Sequence, residues 1–433
     1  MPTNGKQQIE SREYLKKATG SAAEIEQWVK DSVSDILQEV RENGDSAILS
    51  FTEEFDDVVL EDVRVSQEEI DEAREMLSAE EKAVIDRSIE RVANFAEAQK
   101  DAMKNDFESE FGDGIRCGQR TLPVSAAGTY VPGGNFTHIA SAVMSITPAT
   151  VAGVDRIVTC TPPREDGSVN AYQLYAMAES GVDEIYKIGG AQAIGAMAYG
   201  TESIDSVDIV TGPGNVFVVE AKRQVFGDVD LDLLPGPTET LIIADETTDP
   251  HVAAVDLLSQ AEHTESSQCV LISTDEGVAE EILEEIEDFL PKLDTEETAR
   301  KCWTKNGEVA VVTDYDQAAA LANEYAIEHV QVMTENPRDL VENLKNYGSL
   351  FLGHNAPVVF GDKITGPNHI LPTNGTARFN GGCNVGSYLK KVTHQEITPE
   401  GGEYLSSYGA KISELEGMHG HQLSAELRPV ERD

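Results

Sequence analysis

Gln260 and His263 stand three residues apart at the end of an apolar stretch that begins as a helix would. Asp249 followed by Pro250 suits a helix start, because Asp accepts hydrogen bonds from free backbone N–H groups and Pro fits the first turn. Side chains three residues apart leave a helix on the same face. An amide oxygen and an imidazole placed together could bind a metal ion, although a solvated helix end has the same pattern.

Other residues that could bind a metal or move a proton lie further along the chain. Glu328 and His329 directly precede the apolar run Val330–Met333, so they are either a general base pair at a strand edge or a polar turn. Further hard or borderline metal ligands are Asp362, Asn368, His369, His419 and His421.

Cysteine usage limits the kind of metal site. The five cysteines are odd in number and have no Cys-X-X-Cys spacing, which argues against a disulfide framework and against a thiolate zinc site. Any bound metal would therefore have His, Asp, Glu or Gln ligands.

Three glycine turns follow predicted strands. The turn Thr211–Asn215 separates the apolar run Val207–Val210 from a predicted helix, and two similar turns span residues 131–134 and 189–192. Glycines at such junctions let backbone N–H groups approach an anion or a nucleotide at the start of a helix. A simple turn has the same sequence, but three turns in one α/β unit predict a ligand crevice at the strand ends.

The composition excludes several classes of partner. The chain has 433 residues with 33 Lys and Arg against 78 Asp and Glu, a formal net charge of −45, which is unsuited to binding nucleic acid or an anionic membrane. Acidity on this scale is typical of proteins from halophiles, although an ordinary acidic surface is the alternative. Without an apolar leader or a long apolar run, we expect a soluble cytoplasmic protein.

The order of elements predicts an α/β protein. Apolar spacing near 3.6 indicates helices within residues 21–110, and short apolar runs then alternate with helical stretches, one of them over residues 337–346. This alternation is typical of parallel sheets built from βαβ units, and two such units are expected. From about residue 382 the apolar periodicity is weak, so this segment is expected to cover a neighbouring chain.

Several strings, taken in order, resemble the histidinol dehydrogenase family over residues 115–428. They are YVPGG, GGAQAIGA, TGPGN..V.EAKRQV, DLLSQAEH, YA.EH, SLFLG, GD...GPNH.LPT.GTARF and SELEG...H. The resemblance implies an NAD- and zinc-dependent dehydrogenase that oxidises a primary alcohol to a carboxylate through an aldehyde. It also implies a homodimer with two incomplete Rossmann-like domains, an N-terminal helical segment and a C-terminal dimer arm.

The resemblance further implies a role for each matched residue. Zn²⁺ would be bound by Gln260, His263, Asp362 and, from the other chain of the dimer, His421. NAD⁺ would contact Tyr130, Gln192 and Asn215, the acid/base residues would be Glu328 and His329, and the substrate would contact Thr238, His369 and Glu416.

The same resemblance implies a domain division. Residues 1–20 would be an N-terminal segment, and residues 21–127 with 239–381 would form a first α/β domain that carries most zinc ligands. Residues 128–238 would form the NAD-binding domain, and residues 382–433 the dimer arm.

Departures from the family pattern lie near the expected substrate. Thr238 replaces the usual serine after Gly-Pro, and the segment 381–395 looks more like sulfopropanediol dehydrogenases than like enzymes of histidine biosynthesis. We therefore expect 2,3-dihydroxypropane-1-sulfonate or a similar short diol, with L-histidinol as the alternative and a non-catalytic binding homologue as a remote one. His394 or His419, if close to the site, could donate a hydrogen bond to a sulfonate.

The chemistry of the implied reaction suits these residues. His329 could accept the alcohol proton as hydride leaves, while Glu328 could activate water against the aldehyde. A competing mechanism would form a thiohemiacetal on Cys160, although a cysteine at the end of an apolar strand is more often a small buried hydrophobe.

Overall fold

The computed structural model describes residues 13–19, 25–103, 106–134 and 136–428. Its strands are β1 Glu13–Lys16, β2 Phe107–Glu110, β3 Ile115–Pro123, β4 Ala126–Tyr130, β5 Arg156–Thr161, β6 Glu184–Lys187, β7 Ile209–Thr211, β8 Asp230–Leu231, β9 Glu239–Ala244, β10 Gln268–Ser273, β11 Gly307–Val311, β12 His329–Met333, β13 Ser349–Leu352 and β14 Leu389–Ile397.

The α-helices connect and cover these strands. They are α1 Gln27–Asp56, α2 Gln67–Met76, α3 Ala79–Met103, α4 Ile139–Ala152, α5 Ala171–Glu179, α6 Gly190–Tyr199, α7 Val216–Val225, α8 Pro250–Ala261, α9 Glu276–Phe289, α10 Glu296–Asn306, α11 Tyr315–Tyr325, α12 Val358–Lys363, α13 Pro399–Leu415 and α14 His419–Glu426. Short 3₁₀ turns occur at Leu290–Lys292, Pro337–Leu340, Thr376–Arg378 and Val385–Tyr388.

Two largely parallel sheets form the centre of the fold, as predicted from the alternation of strands and helices. The five-stranded sheet has the order β6-β5-β4-β7-β8 and is parallel throughout. The six-stranded sheet has the order β1-β11-β10-β9-β12-β13, with only β1 antiparallel. Strands such as β9 are buried along their whole length, because helices cover both faces of the sheet.

The N-terminal helices cover the five-stranded sheet. Apolar side chains of α1, including Val33 and Val40, share one core with α6 and α7. Helix α3 packs on α4 at the other side of the same sheet, with Val92 and Ala96 in that core. The division into domains at residues 127 and 238 is not tested by this packing and stays a prediction.

The segment after residue 388 projects from the two sheets. Strand β14 pairs antiparallel with β3, which also pairs with β2, and most residues of this small sheet are exposed. Helices α13 and α14 pack mainly on each other. They leave several large apolar side chains in solvent, namely Tyr404, Tyr408, Ile412, Leu415, Met418, Leu423 and Leu427.

The helix predicted over residues 337–346 is wrong. A 3₁₀ turn at Pro337–Leu340 is followed by irregular chain. The backbone N–H groups of Lys345 and Asn346 donate to the side-chain oxygen of Asn323, at 2.7 and 3.0 Å, so they do not form helical hydrogen bonds.

None of the helices within the described ranges combines the length and the apolar character that a membrane span requires.

Candidate active site

A cavity of about 670 Å³ lies between the two sheets. Its walls come from the turns after β4 and β7, from the chain entering β9 and β12, and from the ends of α8 and α12. The residues used below that line it are His138, Ala140, Ser141, Asn215, Thr238, Gln260, Glu262, His263, Glu328, His329, Asp362, Lys363 and His369. Eight of the twelve predicted site residues, Asn215 among them, therefore line one cavity.

Glu328 is a buried carboxylate whose position is fixed by two hydrogen bonds. Its Oε2 accepts from the Thr238 hydroxyl at 2.8 Å and from the backbone N–H of Glu239 at 2.9 Å. The Thr238 hydroxyl also lies 3.2 Å from Oε1 of Gln260, so its single proton is shared between these oxygens. Burial raises the pKa of Glu328, which makes this carboxylate a stronger base once ionised.

His329 begins β12 and is held in one orientation. Its Nδ1 donates to the backbone carbonyl of Glu239 at 3.0 Å, whereas the buried Nε2 has no hydrogen-bond partner among the described residues. Burial opposes the charged form, but the carboxylates of Glu328 and Asp362 outweigh it and raise the pKa of His329 to about 9. A pKa of about 9 leaves the ring charged near pH 7, so Nε2 can accept a proton from a bound molecule only after the ring has lost its own.

Gln260, His263 and Asp362 line the same cavity and differ in donor chemistry. Burial lowers the pKa of His263, so its imidazole is neutral near pH 7. Burial alone would raise the pKa of Asp362. The imidazole of His329, whose Nε2 lies 3.6 Å from Oδ1 of Asp362, outweighs burial and lowers that pKa. An amide oxygen, a neutral imidazole and a carboxylate are donors that zinc accepts.

These three donors are of chemical types that bind zinc, but they do not complete its coordination. Among the described residues, no group of three or more His, Cys, Asp or Glu side chains is arranged to hold a metal. His421 is exposed on α14 and is not part of the cavity wall. Within a single chain the set therefore lacks its fourth predicted ligand.

The predicted nucleotide residues occupy two places. Asn215 caps α7 by accepting from the N–H groups of Phe217 and Val218 at 3.0 and 3.1 Å. Tyr130 and Gln192 meet at another glycine turn, where the Tyr130 hydroxyl accepts from the N–H of Gly190 at 3.1 Å. Gln192 is buried and its Oε1 has no hydrogen-bond partner in the described structure, so this turn also has an unused acceptor.

The remaining predicted residues divide between the cavity and the exposed arm. His369 faces the cavity, its Nδ1 donates to the Asp362 carbonyl at 3.2 Å, and burial lowers its pKa to about 4. Glu416 ends α13 in solvent. His394 pairs with Glu108 on the small exposed sheet, and His419 is exposed on α14, so in the single chain neither supplies a hydrogen bond to the cavity.

Some residues that shape the site were not predicted. Glu239 orients both Glu328 and His329 through its backbone, and burial raises the pKa of its own carboxyl to about 7. His138 and Lys363 also line the cavity. Lys363 could have been found, because it directly follows Asp362 in sequence.

Cys160, the alternative nucleophile, is buried in the core of the five-stranded sheet. Its side chain is absent from the cavity wall, and burial raises its pKa. A thiol that is both buried and protonated is a poor nucleophile. The structure therefore favours its interpretation as a small core residue.

Comparison with known proteins gives one consistent family. The sequence profile described as histidinol dehydrogenase matches residues 20–429. A histidinol dehydrogenase from Methanothermobacter thermautotrophicus is 41% identical over 92% of this chain and 92% of its own length. A sulfopropanediol 3-dehydrogenase from Ruegeria pomeroyi is also 41% identical, over 96% of both chains.

A solved structure agrees with this grouping. The crystal structure of histidinol dehydrogenase from Elizabethkingia anophelis superimposes with a TM-score of 0.89 and 34% identity. The superposition covers 94% of this chain and 93% of that one.

Proposed function

The chain belongs to the histidinol dehydrogenase family, whose members are NAD-dependent oxidoreductases acting on CH–OH groups, and we propose that its substrate is a short diol bearing a sulfonate, 2,3-dihydroxypropane-1-sulfonate or a close analogue. The overall reaction would convert one primary alcohol, two NAD⁺ and one water into a carboxylate, two NADH and three protons. L-Histidinol is the alternative substrate.

The observation that carries the proposed two-step oxidation is the pair of bases at one wall of the cavity. Nε2 of His329 has no hydrogen-bond partner in the described part of the chain and lies 3.6 Å from Oδ1 of Asp362, and the ring is fixed by the Glu239 carbonyl. It would take the hydroxyl proton while hydride leaves the adjacent carbon. Glu328, held by Thr238 through Oε2, would use Oε1 to remove a proton from the water that adds to the aldehyde.

The cofactors are part of the proposal. NAD⁺ would accept one hydride in each step and would be bound by Tyr130, Gln192 and Asn215. Zinc would polarise the substrate oxygen, and Gln260, His263 and Asp362 would be its ligands within this chain. These residues line the cavity that also contains His329 and Glu328, which supports a shared site.

A second copy of the chain is proposed to supply the missing ligand. Helices α13 and α14 expose Tyr408, Ile412 and Leu415 among other apolar side chains, and burying such a face against another protomer would stabilise a dimer. His421 would then reach the zinc of the second copy, and Glu416 its substrate. The arm would span residues 382–433.

The substrate choice depends on particular residues rather than on overall similarity. Identity is 41% both to a histidinol dehydrogenase and to a sulfopropanediol 3-dehydrogenase, so it favours neither. Thr238 and the segment 381–395 favour the sulfonate, whereas His369 and Glu416 suit histidinol as well.

The experiment is a comparison of kcat/KM for the two compounds with the zinc-loaded dimer in molar KCl. We expect the sulfonate to be preferred by at least tenfold, which corresponds to about 1.4 kcal/mol of transition-state binding. A tenfold preference for histidinol would replace the proposed substrate with the alternative. Absence of NADH formation with both compounds would contradict the proposal as a whole.

A further inference from the structure

Two basic side chains in the cavity wall have no role in the chemistry described above. Lys363 directly follows Asp362 at the end of α12, and His138 precedes α4; both line the cavity. Within the described ranges, Lys363 forms no ion pair with a carboxylate. Lys363 is exposed to solvent where it lines the cavity, and its charge helps to lower the pKa of the neighbouring Asp362.

The two side chains are close enough to influence each other. Burial lowers the pKa of His138, and the charge of Lys363 lowers it further. His138, Lys363 and His263 all line the same cavity. His138 is neutral near pH 7 and keeps one ring N–H that it can donate.

Helix α4 adds backbone donors beside them. Its N-cap is His138, whose side chain forms no capping hydrogen bond, and Ala140 and Ser141 in its first turn line the cavity. The first turn of a helix has free N–H groups and a partial positive charge, so it attracts anions.

The same cavity contains a buried group without a hydrogen-bond partner in the described structure. Nε2 of His329 belongs to a side chain only 3% exposed and has no hydrogen-bond partner among the described residues. It lies 3.6 Å from Oδ1 of Asp362, the residue next to Lys363. Lys363, His138 and His329 all line this one cavity of about 670 Å³, so a small molecule bound there can face the reacting residues and the basic side chains.

We propose that Lys363, His138 and the first turn of α4 form an anion subsite that binds the fixed negative charge of the substrate. This inference rests on the proposed function and names the residues that would select an anionic substrate. Lys363 supplies the charge, while His138 and the α4 backbone donate hydrogen bonds to the acidic oxygens. The ammonium group of histidinol would be repelled by Lys363 at this position.

The test uses Lys363→Met, which removes the charge and keeps most of the apolar stem. Lys345→Met is the matched control, because Lys345 is exposed and far from the cavity wall. Two quantities are measured at constant KCl concentration. One is the ratio of kcat/KM for 2,3-dihydroxypropane-1-sulfonate to that for propane-1,2-diol, and the other is calorimetric binding of 3-hydroxypropane-1-sulfonate to the enzyme with NADH.

We expect Lys363→Met to reduce the ratio and the affinity at least tenfold, His138→Ala to reduce them less, and Lys345→Met to change neither. Unchanged ratio and affinity in Lys363→Met would overturn the subsite, even if the wild-type enzyme oxidises the sulfonate as proposed. Conversely, sulfonate binding that depends on Lys363 without any oxidation would support the subsite and refute the proposed function. Failure of the wild-type enzyme to bind the sulfonate would overturn both.

Discussion

Lys222 and Asp232 form a fully buried ion pair that holds both polar backbone groups of Gly212. Nζ of Lys222 donates to the Gly212 carbonyl at 3.0 Å, and Oδ2 of Asp232 accepts from the Gly212 N–H at 2.8 Å. Gly212 has a φ of +108°, and a Cβ there would lie 2.2 Å from the Tyr130 carbonyl oxygen. The pair therefore fixes the turn that leads to Asn215.

Replacing one member of this pair should be strongly destabilising. In Lys222→Met, Asp232 would remain as an uncompensated buried charge, which typically costs about 3–5 kcal/mol. Urea unfolding at constant high salt measures this loss. Lys411→Met is the control, because Lys411 and Glu414 form an exposed pair at 2.8 Å and exposed pairs contribute about 0–1 kcal/mol. Equal, small losses in both variants would contradict this prediction.

Short-range patterns in the sequence predicted much of this fold. Strand β12 was predicted to within one residue, because the apolar run Val330–Met333 directly follows the polar residues Glu328 and His329. The sheet that α1 would cover could not be predicted, because an apolar helix face does not specify its partner. Strands β2, β3 and β14 were missed, since their exposed residues lack apolar alternation.

The same limit applies to the candidate site. Glu328 and His329 were proposed from residue type and from the resemblance, but the backbone of Glu239, which orients both, makes its contacts from a neighbouring strand. Lys363 and His138 are 225 positions apart, and only the folded chain brings them to one cavity. Long-range pairs of this kind leave no periodic pattern in a single sequence.

Removing a metal ligand tests the proposed zinc site. His263→Ala should lose most bound zinc and most activity together, because only two imidazoles are among the proposed ligands. Zinc content after gel filtration, measured by mass spectrometry, gives a readout independent of turnover. His251→Ala, on the helix that precedes His263, is the control, since His251 is largely exposed and pairs with Glu285. Full zinc occupancy in His263→Ala would remove His263 from the ligand set.

Glu328→Gln tests the division of roles between the two bases. The amide oxygen can still accept from Thr238 and from the Glu239 N–H, so the local structure should survive, but the proton-accepting carboxylate is lost. We expect the aldehyde step to slow by about 10²–10⁴-fold and the alcohol step to slow less, because only the former consumes water. Single-turnover assays with alcohol and aldehyde measure the two steps, with exposed Glu335→Gln as control. Equal slowing of both steps would contradict this division.

Asp56 predicts a pH dependence of stability. Burial raises its pKa to about 6, and its Oδ2 has no hydrogen-bond partner among the described residues. A raised carboxyl pKa means that stability is fully present below the unfolded value near 4 and is lost as pH rises through about 6.

Asp56→Asn should therefore increase the free energy of unfolding at pH 7.5 but not at pH 4. Since the carboxyl is only half-buried, solvent screening reduces the expected gain to about 1 kcal/mol. Urea unfolding without NAD⁺ measures it at both pH values, and exposed Glu54→Gln on the same helix is the control. A gain of the same size at pH 4 would mean that the charge of Asp56 is not the cause.

The last prediction concerns salt. Helix α9 buries Ala279, Ile282 and Ile286 on one face and exposes Glu280 and Glu281 on the other, and such surfaces contribute to the net charge of −45. The Debye length is about 10 Å at 0.1 M salt and about 3 Å at 1 M, so repulsion between these carboxylates is much stronger in dilute buffer.

Thermal unfolding midpoint and activity should therefore fall on dialysis to low salt and recover in molar KCl. Sucrose at equal osmolarity is the control, because it does not screen charge, and tetramethylammonium chloride at equal ionic strength should act like KCl. Recovery in sucrose alone would point to solvent exclusion rather than screening. Equal stability at low and high salt would mean that the acidic surface has another purpose, such as binding a basic partner.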